Sequence, residues 1–141
     1  MSSVLTRPPE DKYAAIAELQ NLQLDVSFTI GAESGNTINV AVQIKQDRTG
    51  TAITSRRVLD VYFADANTGA AIIGTAPSGG AAIGTNGAIL ASIVANKMYR
   101  IVSNASGQFD LTITEAGAKT LYMVVVMPNG RLVVSGAITF V

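Results

Sequence analysis

The feature that most constrains the fold of this chain is a period-two alternation of apolar and polar residues that begins near residue 22. Apolar side chains occupy every second position of two segments, Leu22, Leu24, Val26, Phe28 and Ile30 in the first, and Ile38, Val40, Val42 and Ile44 in the second. This alternation is typical of β-strands that bury one face. Because the intervening residues are mostly polar, we expect the other face to lie against solvent or a partner.

The rest of the chain continues the β pattern. Residues 58–63 are too apolar to alternate, which favours a central strand. Three more strands, separated by hairpin-sized turns, are expected at residues 88–94, 98–103 and 108–114. A strand roughly every ten residues indicates an all-β protein, an antiparallel β-sandwich of the jelly-roll or Ig-like type.

Two other parts of this region have distinct patterns. Residues 64–87 are so rich in glycine that we expect a long excursion with one or two short strands, such as one at residues 71–74. Residues 120–127 and 131–141 predict a hairpin, because the Asn129-Gly130 dipeptide between them is a strong turn signal. The last strand should therefore be tied into a sheet.

The first residues of the chain do not share the β pattern. Prolines and acids at residues 8–11 are typical of a helix start, and Tyr13, Ile16 and Leu19 follow at helical spacing. A short helix is expected at about residues 9–20, or else an arm that docks on a neighbouring subunit. We therefore divide the chain into an N-terminal arm or short helix, residues 1–21, and a β-sandwich domain, residues 22–141.

The surface is expected to be poor in charge. Only 14% of the residues are charged while 48% are hydrophobic, against roughly 25% charged in an ordinary soluble domain. Part of the exterior is therefore expected to be covered by partner subunits, unless alanine alone inflates the hydrophobic count. Since 10 basic residues balance 10 acidic ones, no excess positive charge is left to attract nucleic acid as the main partner.

The composition also excludes most common types of catalytic site. Without Cys or His, the chain has no thiol nucleophile, no imidazole acid or base and no zinc site of the usual kind. Asp60, Asp65, Asp110 and Glu115 are expected to be solvated carboxylates, with a paired acid-base site as the weaker alternative. We therefore expect no enzymatic activity, no cofactor, no metal and no small-molecule substrate.

Nothing in the sequence predicts a membrane protein. No apolar run reaches the roughly 18 to 20 residues of a membrane span. The first residues also lack the apolar core of a signal peptide, so we expect the protein to be made in the cytoplasm.

Three segments of the second half carry a resemblance to known proteins. They read TAPSGGAAIGTNG at residues 75–87, LTITEAGAKT at residues 111–120 and MPNGRLVVSGAITF at residues 127–140. From about residue 40 to residue 141 the chain resembles small virion proteins of tailed bacteriophages. It is similar to the cement or decoration proteins, which bind the outside of a capsid shell. The match includes no catalytic motif.

The resemblance implies a β-sandwich without enzymatic activity, with the major capsid protein as its partner. The protein would be made in the host cytoplasm and would lie on the outer surface of the virion capsid. There it would bridge capsid subunits and so stabilise the shell. A homodimer or homotrimer on a capsid symmetry axis is the expected form. The alternative is a tail or fibre component that recognises the host surface.

Two groups of residues are predicted to contact partners. The apolar side chains of the first segment are expected to be arm contacts: Val4, Leu5, Tyr13, Ile16 and Leu19. The basic cluster is expected to make polar contacts with the shell, or to be a plain solvated face: Lys45, Arg48, Arg56 and Arg57.

Overall fold

The computed structural model describes residues 23–141, and this part of the chain is all-β. Its strands are β1 (Leu24–Ile30), β2 (Thr37–Gln46), β3 (Val58–Ala64), β4 (Ala81–Ile83), β5 (Ala88–Val94), β6 (Met98–Val102), β7 (Gln108–Thr114), β8 (Lys119–Val126), β9 (Leu132–Val134) and β10 (Ile138–Phe140). The predicted helix at residues 9–20, and with it the segment 1–21, lies outside the described residues.

The strands form two antiparallel sheets, which confirms the predicted β-sandwich. A four-stranded sheet has the order β1-β2-β7-β4. A six-stranded sheet has the order β10-β8-β3-β6-β5, with β9 as an additional partner of β8. The expectation that β3 is central is also confirmed, because β6 and β8 pair with its two edges.

The core lies between the two sheets and follows from the alternation in the sequence. From the four-stranded sheet, Val40 and Ile44 are fully buried, and from the six-stranded sheet, Val61 and Met123. Sheets that pack face to face lie about 10 Å apart, which is the depth that two layers of such side chains fill. One continuous core therefore holds the sandwich together.

The long excursion after β3 contains a short strand, as expected, but at a different position. Its short strand is β4, and residues 71–74 are not a strand. Ile73 is nevertheless fully buried, and its N–H donates a 2.7 Å hydrogen bond to the carbonyl of Phe63. The apolar residues that suggested a strand at 71–74 therefore anchor a loop to the core.

Two connections near the C-terminus also differ in part from expectation. The hairpin around Gly130 is confirmed, with Gly130 at φ 87° and its N–H bonded to the carbonyl of Met127. Residues 131–141 form two short strands, β9 and β10, which both pair with β8. Ser135 lies between them, and its Oγ accepts the N–H of Met123. The turn at residues 104–107 connects β6 in one sheet to β7 in the other, so it does not form a hairpin.

Candidate interaction surface

The two outward faces of the sandwich differ in chemistry. On the four-stranded sheet the outward residues are polar, as the alternation predicted. Those that line up across β1, β2 and β7 include Ser27, Thr29, Asn39, Gln43, Gln108, Thr112 and Thr114. Hydroxyl and amide groups dominate, so this face can remain in contact with water.

The outward face of the six-stranded sheet is largely apolar. The strand register places Leu132, Val126, Asp60, Arg100 and Ala91 side by side in one row across β9, β8, β3, β6 and β5. With strands about 4.8 Å apart, this row is about 19 Å wide. We call this surface the apolar face. Its exposed large apolar residues are Val58, Leu90, Ile93, Val94 and Leu132.

Irregular pairing of the edge strand β5 enlarges the apolar face. The register of β5 against β6 shifts between Ile89 and Ala91 and again between Ser92 and Val94, which leaves Leu90 and Ile93 as extra residues. A bulge re-aims the side chains beside it. Leu90 is 55% exposed and Ile93 is 43% exposed, while Ile89 still packs against the core. The bulges therefore expose apolar side chains to solvent, while Ile89 of the same strand remains packed against the core.

One ion pair lies in the middle of the apolar face. Nε of Arg100 donates a 2.9 Å hydrogen bond to Oδ1 of Asp60, and Nη2 of Arg100 reaches Oδ2 at 3.4 Å. This hydrogen bond and the negative charge of Asp60 raise the pKa of Arg100 above its ordinary value. Both side chains remain partly exposed. The face thus carries one positive and one negative charge, side by side, surrounded by apolar groups.

A depression of about 340 Å³ lies at the open end of the apolar face. It is lined by Val58, Leu59, Asp60, Arg100, Val126, Met127, Pro128 and Gly130. At the other end a loop covers the sheet. The hydroxyl of Tyr62 donates a hydrogen bond to the carbonyl of Gly69, and a Cβ added at Gly69 would lie 3.0 Å from methyl groups of Val124 and Val134. Among residues 23–141, this loop covers part of the face at the Tyr62 end, and the end near Val58 is the more open one.

The basic residues predicted as shell contacts lie at the end of β2 or in the connection from β2 to β3. Lys45 is in β2, and Arg48 follows it in an exposed turn. Arg56 and Arg57 are also exposed, and the backbone there is held by Ser103, whose Oγ accepts the N–H of Arg57. Within residues 23–141, none of the four forms an ion pair.

The other predicted contacts belong to the arm at residues 1–21. Val4, Leu5, Tyr13, Ile16 and Leu19 lie outside the described residues.

Two carboxylates expected to be solvated are buried, so that expectation was wrong for them. Asp110 is 5% exposed. Its carboxylate accepts hydrogen bonds from the N–H groups of Thr85 at 3.0 Å and Asn86 at 2.6 Å, and from Nδ2 of Asn39 at 2.7 Å. These three hydrogen bonds compensate the negative charge of the buried Asp110 carboxylate. Asp110 therefore anchors the loop between β4 and β5.

Glu115 is the second of these buried carboxylates, at 8% exposure. A hydrogen bond from the Ser78 hydroxyl lowers the pKa of Glu115, helped by the N–H of Gly117 and by Lys119. Within residues 23–141, no three acidic residues lie close enough together to hold a metal ion.

Sequence reasoning missed the apolar face, although a signal for it was present. Residues 88–94 read AILASIV, a stretch without charge or strict alternation. That pattern also fits a strand buried on both faces. Only the position of β5 at the edge of the sheet shows that these side chains are exposed.

Comparison with family models and with curated proteins gives no relative from which to transfer a function. No known family model matches the chain, and no curated protein is similar to it. In the described part, 23–141, there is no helix with the length and hydropathy needed to cross a membrane. The absence of enzymatic activity, nucleic-acid binding and membrane association remains a prediction from the sequence.

Proposed function

We propose that this chain is a cement or decoration protein, which binds the outer surface of a bacteriophage head and bridges major capsid protein subunits. The observation that carries the proposal is the apolar face, with Val58, Leu90 and Leu132 each more than 40% exposed. Monomeric soluble proteins rarely leave large contiguous apolar patches in water. A face of this kind supports a role in a protein assembly, where another protein covers it.

The distribution of chemistry over the sandwich agrees with such a role. The polar four-stranded sheet suits the side that faces solvent on a virion. The exposed guanidinium groups of Arg48, Arg56 and Arg57 suit contacts with acidic groups on a shell. In this proposal they act together with the predicted arm contacts in residues 1–21.

The protein would stabilise the shell by holding its subunits together. A ligand that binds only the assembled state stabilises that state by mass action. A rigid β-sandwich that contacts two neighbouring capsid subunits would therefore raise the temperature or internal pressure that the shell withstands. A shell repeats the same patch around each symmetry axis, which favours a closed oligomer of the binding protein.

The test is cosedimentation of the purified protein with empty, expanded shells of the phage that encodes it. We expect saturable binding and a higher temperature of shell disruption. Deleting residues 1–20 should weaken binding while the β-sandwich stays folded. The substitution Gln108→Glu, on the polar sheet, is the control and should leave binding unchanged. No saturable binding to any shell state would refute the proposal.

A tail or fibre protein that recognises the host surface is the second candidate, and one observation favours it. A pocket of about 150 Å³ on the four-stranded sheet is lined by Ser27, Thr29, Ala41, Val42, Gln43, Asn86, Gln108 and Phe109. Uncharged hydroxyl and amide groups of this kind suit a neutral sugar, and Asn86 belongs to the glycine-rich excursion. Binding to host cells without binding to shells would favour this candidate.

A further inference from the structure

We propose that the apolar face binds a second copy of this chain, forming a dimer with a two-fold axis parallel to the strands and located between β3 and β6. The inference rests on the proposed function only in assigning this face to assembly. The two sheets would pack face to face with aligned strands, about 10 Å apart.

The ion pair in the middle of the face favours a second copy over an unrelated partner. Asp60 and Arg100 are direct neighbours across β3 and β6. A two-fold axis between these strands places Asp60 of one copy opposite Arg100 of the second copy, and Arg100 opposite Asp60. The result is a ring of four alternating charges, so the surface is complementary to itself.

The shape of the face fits the same arrangement. This two-fold operation exchanges β8 with β5, because both lie one strand away from the central pair β3 and β6. Leu90, the most exposed large apolar residue of β5, then lies over Val126, Met127 and Pro128 of the second copy. These three residues line the depression of about 340 Å³. A projecting leucine in each copy thus meets a depression in the other.

The two bulges favour face-to-face packing over pairing of β5 edges. An edge strand can extend its sheet into another molecule only if its outward N–H and C=O groups form a regular series. The shifts at Leu90 and Ile93 disrupt that series. They also direct apolar side chains out of the sheet, where face-to-face packing can use them.

The decisive experiment exchanges charges. Asp60→Arg places only positive charges at the centre of the interface, and Arg100→Asp places only negative charges there. Measured by sedimentation equilibrium, the unmodified protein should dimerise, and each variant alone should bind itself at least 10-fold more weakly. An equimolar mixture of the two should dimerise again, because every opposed pair is then of opposite charge. Arg48→Glu, away from the face, is the control for net charge.

A second measurement keeps the proposal testable if a charge variant folds poorly. The chain has no cysteine, so the double variant Leu90→Cys and Pro128→Cys should form disulfides between copies on mild oxidation. Leu90→Cys combined with Lys45→Cys should not. An unmodified protein that stays monomeric at millimolar concentration, or a mixture of charge variants that stays monomeric, would overturn the proposal. These assays need no shell, so their outcome is independent of the shell-binding test.

Discussion

Asn39 donates a 2.7 Å hydrogen bond from Nδ2 to Oδ2 of Asp110, and this contact joins β2 to β7 on the outward face of the four-stranded sheet. The same Asp110 carboxylate accepts the N–H groups of Thr85 and Asn86. One acidic side chain therefore fixes both the sheet and the loop that follows β4. Because Asn86 also lines the polar pocket, the contact positions that pocket.

Replacing Asp110 should destabilise the fold. Asp110→Ala leaves the N–H groups of Thr85 and Asn86 without their acceptor, and Asn39 Nδ2 keeps only its hydrogen bond to Oγ1 of Thr112. Loss of a buried partner typically costs about 1 to 3 kcal/mol. Urea denaturation should show this as a lower midpoint with an unchanged slope. Asp65→Ala is the control, because Asp65 is exposed and accepts one backbone hydrogen bond. Equal effects of the two substitutions would contradict the assigned role of Asp110.

Gly84 should not tolerate a side chain. A Cβ added there would overlap Oδ2 of Asp110 and lie 3.0 Å from Nδ2 of Asn39. Gly84→Ala must displace the buried carboxylate, and overpacking of this kind costs about 1 to 3 kcal/mol. Gly117→Ala is the matched control, because nothing lies within 4 Å of its added Cβ. Thermal melting should separate the two variants, and a Gly84→Ala variant as stable as the control would argue against this packing.

Glu115 should contribute to acid sensitivity. Its folded-state pKa is lowered from the ordinary 4.5, chiefly by the Ser78 hydroxyl. A lowered carboxyl pKa stabilises the fold above the ordinary pKa, and this contribution is lost as the pH falls through the folded-state pKa. Glu115→Gln should therefore lower the free energy of unfolding at about pH 6, and this difference should shrink towards about pH 3. A difference that stays constant over this range would contradict the assignment.

The basic residues should contribute to shell binding if the proposed function holds. Reversing two exposed charges, Arg48→Glu with Arg57→Glu, should weaken binding to expanded shells by about 10-fold. Added salt should reduce the binding of the unmodified protein more than that of the variant, because salt screens exposed charges. The conservative pair Arg48→Lys with Arg57→Lys should bind nearly normally. Unchanged binding of the Glu variant would show that this segment is a solvated face.

Some of the architecture could be predicted because it depends on local pattern. The alternation from Val26 to Ile44 places apolar residues on one side of each strand, whatever the neighbouring strands are. The turn at Gly130 was equally predictable, since few residues other than glycine adopt φ near 87° at low cost. The strand expected at residues 71–74 was wrong because Ile73 is buried from a loop, and apolar content alone does not distinguish the two cases.

By itself, the sequence determined the class of fold, the positions of most strands and the side of each that is buried. These features depend on the two-residue alternation of apolar side chains, which is a property of neighbouring residues in the chain. Only the tertiary structure decided which strands are neighbours. It places Asp60 beside Arg100, 40 residues further along the chain, and puts β5 at an edge where Leu90 is exposed. Strand order depends on the free energy of the whole packed core, so the apolar face could not be read from any single segment.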